Sequence, residues 1–209
     1  VAIQRLQYFW VLLCSVLLLL FSASLLGSEK VRDNNTPLNP LSRGEDIGAK
    51  VVRQARKYLG VRETGYNRGP EIERFQKSHG GKPGQSWCAY FVATVLDEAG
   101  VKKPGYRKGM AQGYITNQSI RASRVAKGYV KLNAGWLAIW GRFKQGRNTG
   151  SGHIEIVTNQ IRADTFEGIG GNTSGHSKGS TNDGDGVYET TRKIITYGSF
   201  RIIYFTQIE

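Results

Sequence analysis

The chain has 209 residues, with 39% apolar and 11% aromatic side chains, which suits one domain with a sizeable core rather than two. Its formal charge is +13, and because only Arg5 is charged in the first 27 residues, residues 28–209 carry a net +12. That balance excludes an acidic, solvating chain and favours polyanionic partners (nucleic acid, anionic lipid or acidic wall polymer) unless the scattered charge serves solubility alone.

The N-terminus points to export. A basic start at Arg5 is followed by "YFWVLLCSVLLLLFSASLL", 19 mostly apolar residues with small Ser22 and Ser24 near the end. This pattern fits a signal peptide over residues 1–27, cleaved after about Ser24. The run also approaches the roughly 20 residues that span a bilayer, so residues 6–28 are equally a candidate membrane anchor. "VLLC" lacks the small residue expected before a lipidated cysteine, which argues against Cys14 as a lipid attachment site. Residues 28–44, polar and holding two prolines, read as a linker. Residues 45–209 are the expected domain. After export Cys88 is the one remaining thiol, and an odd cysteine in an exported protein is a candidate reactive group, an inert core residue or an intermolecular bridge.

Three helices are expected first. Ile47, Val51, Val52, Ala55, Tyr58 and Leu59 recur at three- and four-residue steps until Gly60. Pro70 opens a short second helix whose buried side is Ile72 and Phe75. Ser86 suits the N-cap of a third, with Trp87, Cys88, Phe91, Val92, Val95 and Leu96 on a broad apolar face, closed by Ala99 and Gly100. A weaker helix is expected in "KGMAQGYITNQS". Beyond residue 129 the apolar period changes to two. "GWLAIW", "HIEIVT", "DGVYET" and "FRIIYFTQI" read as strands. Helices followed by strands predict an α+β domain, with N-terminal helices packed on a C-terminal antiparallel sheet.

A thiol at the second position of a helix faces free N–H groups and the positive end of the helix dipole, which favour the thiolate. Such a nucleophile needs a base, and a third group to orient that base. Of three histidines, His79 ends a short helix among glycines and His176 lies in a loop. His153 opens a strand on which His153, Glu155 and Val157 share one face and Ile154 and Ile156 the other. It is a catalytic base or a half-buried edge histidine. A strand, turn and return strand would bring Asn172, in "DTFEGIGGN", beside it; the same Asn172 also reads as a turn residue. No phosphate-binding loop and no calcium loop is present in the sequence, because no Gly-Lys-Ser/Thr follows the glycines and Thr181 and Arg192 would hold the first and last calcium positions.

A cysteine at a helix start, a histidine at a strand head and a polar residue on the next strand follow the order of papain-like enzymes. Within that superfamily the chain resembles the CHAP (cysteine, histidine-dependent amidohydrolase/peptidase) domain of exported bacterial proteins. The resemblance rests on "GVRETGYNRGPEIERFQKSHG", "GQSWCAYFV", "GWLAIW", "SGHIEIV" and "GNTS…GDGVYETTRKI", which span most of residues 46–205. It implies a papain-like CHAP fold and hydrolysis of a peptidoglycan amide bond, as an endopeptidase or as an N-acetylmuramoyl-L-alanine amidase. Cys88 would be nucleophile and His153 base, without a metal or cofactor. The partner would be peptidoglycan or an acidic cell-wall polymer, and export argues against nucleic acid.

Two departures stand out. Related chains often carry Glu where this one has Gly170, and Trp136 stands where Asp is common. Asn172 would then orient His153 alone, as a neutral partner, and Gly170→Glu should keep or raise activity. A domain that binds wall without cutting it is the alternative that Gly170 suggests. Gln85, three positions before Cys88, is a candidate oxyanion donor. Trp87 and Glu167 complete the candidate substrate contacts, although Glu167 should face away from His153 in a regular strand.

Overall fold

The computed structural model describes residues 46–101, 109–175 and 184–208. The N-terminal apolar run, the linker and His176 lie outside them. Helix α1 spans Ile47–Arg56, with the Asp46 carboxylate accepting from the Gly48 N–H at 3.0 Å as N-cap. Helix α2 is Pro70–Ser78, where proline at the first position loses no intrahelical hydrogen bond. Helix α3 is Cys88–Ala99, and Gly100 closes it in the left-handed conformation at φ 82°. The weaker helix expected near residue 110 is only a 3-10 turn, Ala111–Tyr114. Gly113 and β-branched Ile115 and Thr116 give it neither helix propensity nor an apolar period.

Six antiparallel strands follow: β1 Ile120–Arg121, β2 Leu137–Lys144, β3 Arg147–Arg162, β4 Thr165–Thr173, β5 Gly186–Lys193 and β6 Phe200–Thr206. Their order across the sheet is β1-β6-β2-β3-β4-β5. A short helix α4, Ala122–Ala126, continues β1; neither element has an apolar pattern long enough to be read from sequence. β3 starts six residues before His153 because Gln145 and Gly146 make a two-residue turn with both φ positive, 51° and 77°, the geometry that suits the twist of a tight hairpin. The architecture is therefore α+β with a six-stranded antiparallel sheet.

Alternation along the strands divides the interior in two. Leu137, Ile139, Ile154, Ile156, Ile169 and Val187 pack with residues of α1, α2 and α3. Ala138, Trp140, Val157, Phe166, Ile202 and Phe205 form a second cluster with α4 and Trp136. Trp136, in the position where the resemblance leads one to expect Asp, is thus a packing residue. Among the described residues no helix is long and apolar enough to cross a membrane.

Candidate active site

Trp87 sets the start of α3. Its ring is fully buried and stacks near Phe75, while its indole N–H donates to Glu63 Oε1 at 2.8 Å. Held in this way, Trp87 and not Ser86 occupies the N-cap position, at φ −120° and ψ 6°, without a side-chain hydrogen bond to the helix. Cys88 becomes the first helical residue rather than the second. The N–H groups of a helix's first turn have no intrahelical partner, so its thiol sits at an electropositive end that no side chain has capped. Cys88 is a free, buried thiol, with 7% of its surface exposed.

His153 stands opposite Trp140 in the β2–β3 ladder, and the two rings meet edge to face at 5.4 Å. The imidazole is buried and hydrogen-bonded to both Cys88 and Glu155. Nε2 donates to Glu155 Oε1 at 3.0 Å, which leaves Nδ1 for the thiol. Burial alone would lower the proton affinity of the ring. The hydrogen bonds to Cys88 and Glu155, with the charges of both partners, outweigh burial and raise its pKa to about 9.

The group on His153 is therefore Glu155 and not Asn172. Glu155 lies two residues further along β3, on the face that alternation predicts, and is completely buried. Burial alone would raise its pKa, but the His153 hydrogen bond and the Arg192 charge hold it below the ordinary carboxylate value. Arg192 of β5 reaches across β4 to grip it: Nη2 donates to Oε1 at 2.7 Å, and Nε lies 3.2 and 3.1 Å from Oε1 and Oε2. The same Nη2 donates to Thr173 Oγ1 at 2.8 Å.

Two glycines on β4 make the crossing possible. A Cβ on Gly170 would lie 2.6 Å from Glu155 Cγ and 2.9 Å from Oε1, and one on Gly168 would lie 3.2 Å from Oε2. The space where a β4 side chain would stand is filled by the Glu155 carboxylate from β3. The acid expected at position 170 is thus supplied by a neighbouring strand, and Gly170→Glu would clash rather than restore it.

Asn172 makes no hydrogen bond to His153. It is buried, left-handed at φ 54°, and sits where the β4–β5 register shifts between Gly170 and Thr173. Its Oδ1 has no hydrogen-bond partner among the described residues. This bulge breaks strict alternation and lets Thr173 meet Arg192. Glu155, with Arg192 behind it, makes the hydrogen bond to His153 that was expected of Asn172.

The other candidates separate from the site. Trp87 is core. Gln85 is exposed at the chain level, but its Oε1 accepts from the Lys82 N–H at 2.8 Å and the Tyr90 hydroxyl at 3.1 Å, which ties down the loop before α3. Glu167 faces away from Glu155 and meets the Asn159 amide at 3.3 Å. Among the described residues no group of three His, Cys, Asp or Glu side chains is placed to hold a metal.

Sequence carried one trace of this arrangement. Alternation put Glu155 on the face of His153, and glycines two apart on a strand mark close approach of another group. Nothing in the sequence pointed to Arg192. No family model, no curated protein and no solved structure matches this chain.

Proposed function

We propose that the protein is a cysteine-dependent amide hydrolase with the papain-like CHAP arrangement, exported to act on peptidoglycan. One observation carries the reading: a thiol at an uncapped helix start, hydrogen-bonded to a buried histidine that a carboxylate holds from behind. Cys88 as thiolate and His153 as imidazolium, with Glu155 and Arg192, make a buried set of charges that sums to zero.

In this reading the Cys88 thiolate attacks the amide carbonyl carbon. The oxygen takes up the negative charge, facing the N–H groups of the first turn of α3, that of Cys88 among them. His153 then gives its Nδ1 proton to the amide nitrogen, the C–N bond breaks, and the amine leaves with a thioester on Cys88. Neutral His153 next takes a proton from water, whose oxygen attacks the thioester carbonyl. The C–S bond breaks, the acid departs, and thiolate and imidazolium are restored. Glu155 keeps the Nε2 proton in place throughout, and so fixes which nitrogen faces the thiol.

A domain that only binds wall was suggested by the missing acid at Gly170. With Glu155 in that space, the suggestion loses its motive. The experiment is digestion of purified peptidoglycan by the full-length chain, with fragments identified by mass spectrometry. New amine and carboxyl termini are expected, naming the bond as one within the stem peptide or cross-bridge, or between sugar and peptide. Cys88→Ala and His153→Ala, shown to be folded by circular dichroism, should release none. Undiminished release by either folded variant would refute the pair.

A further inference from the structure

Lysines and arginines look scattered along the chain, but the acids are not. Between Glu98 and Glu155 lie 56 residues with eleven Lys or Arg and no Asp or Glu. Folding brings part of this acid-free stretch, in β1 and the β2–β3 hairpin, together with β6 and its Arg201. A pocket of about 340 Å³ opens among them, lined by Arg121, Ser123, Phe143, Asn148, Arg201 and Tyr204 along with apolar β6 residues.

No carboxylate lines this pocket. The Arg201 guanidinium lies 3.6 Å from the centre of the Phe143 ring, and Arg121 lies 5.8 Å from that of Tyr204. Arg201 places one nitrogen on the Gly198 carbonyl at 2.9 Å. Among the described residues neither arginine has an ion-pair partner. The Arg201 guanidinium, laid on the Phe143 ring, has its plane set, so its N–H edge is directed before a ligand arrives. Asn148 is also held: it exchanges amide hydrogen bonds of 3.0 and 2.8 Å with Gln112. Two cations in a concave site without a counter-charge concentrate a positive field there. Phe143 lies three residues along β2 from Trp140, the pairing partner of His153, or about 10 Å at the rise of a strand.

We infer that this pocket binds an oxyanion, carboxylate or phosphate, carried by the polymer whose amide bond Cys88 attacks. The inference rests on the function proposed above. A pocket with two guanidiniums suits one anionic group better than the continuous run of phosphates on a nucleic acid, which asks for a stripe.

The test measures binding, not cleavage, using the full-length Cys88→Ala chain as parent. Its retention is measured on purified wall, on wall freed of phosphodiester-linked polymer by hydrofluoric acid, and on wall with amidated carboxyl groups. Polyphosphate and polyglutamate serve as soluble probes in titration calorimetry. The Arg121→Ala/Arg201→Ala pair should weaken binding at least tenfold. The Arg121→Lys/Arg201→Lys pair, which keeps charge but loses the fork, should recover only part of it. Loss of parent binding in one treated wall names the anion's source. In a chain with Cys88 intact, the alanine pair should hydrolyse a short neutral peptide amide as the wild type does.

Unchanged binding by the folded alanine pair overturns the inference, as does parent binding that survives both wall treatments. So does a parent that binds neither wall nor probe, or an alanine pair that loses hydrolysis of the neutral amide. If the parent ignores wall but binds a soluble probe through these arginines, the pocket stands and the wall reading falls.

Discussion

In the proposed reaction His153 acts through a single proton, and its surroundings say when that proton is held. Its pKa is raised from 6.5 to about 9, so the stability that its partners contribute is fully present below pH 6.5 and is lost as pH rises through about 9. Glu155 is shifted the other way, so its contribution is present above pH 4.5 and is lost as pH falls through its depressed pKa. Hydrolysis should accordingly fall above about pH 9, when the leaving amine has no acid to take a proton from. Removing the Cys88 partner should lower the His153 titration, read by NMR of its imidazole; an unmoved titration in Cys88→Ala would contradict the hydrogen bond. Glu155→Gln keeps the shape of the side chain, and it should cut turnover by about tenfold or more with the fold intact. Glu155→Ala should also cost about 3–5 kcal/mol of stability, because it leaves Arg192 buried without its counter-charge. Asn172→Ala should affect stability more than turnover, since the left-handed bulge and not the imidazole depends on it.

At the scale of the element, β4 matters for what it lacks. Gly168 and Gly170 clear one face for Glu155 and Arg192, while Gly171 clears the other for α3, where a Cβ would lie 2.5 Å from Trp87 Cζ3 and 2.8 Å from Phe91 Cβ. Gly171→Ala must therefore push α3 off the sheet. It should cost about 1–3 kcal/mol in thermal unfolding and reduce turnover, because Cys88 moves with the helix. Gly170→Glu alone should inactivate by crowding Glu155. Combined as Glu155→Gly/Gly170→Glu, the pair returns one carboxylate to the same space from the other strand. Turnover should recover above that of either single variant. Recovery of neither stability nor turnover would mean that the carboxylate must come from β3, and that strand origin matters beyond charge.

Across the whole molecule, charge and shape are segregated. Ion pairs such as Arg56–Glu189 and Arg74–Glu98 lie around α1–α3 and β5, whereas Arg121 of β1 and Arg201 of β6 have no ion-pair partner among the described residues. Exposed charge interactions are screened over about 10 Å at 0.1 M salt. Wall retention should thus decline steeply as salt rises from about 0.05 to 0.5 M, while hydrolysis of a short neutral amide stays level. Retention indifferent to salt would assign wall contact to apolar or neutral surfaces instead.

The chain's local patterns determined a good deal: three helices, the face of each main strand, and a thiol at a helix start with a histidine at a strand head. These depend on neighbours three or four residues apart in a helix, or two apart in a strand, and such spacings are visible in any sequence. Alternation even put Glu155 beside His153. The site's third member was still decided by tertiary structure. Glu155 can turn to the imidazole because two glycines on β4 leave room and because Arg192, 37 residues away, neutralises it in the interior. Which strand fills a shared space depends on register, and here the pairing of Ile156 with Ile169 brings Glu155 of β3 against Gly170 of β4. The arginine pocket has the same origin. Arg121 and Arg201 are 80 residues apart, and only pairing of β1 with β6 brings two uncompensated cations to one cavity.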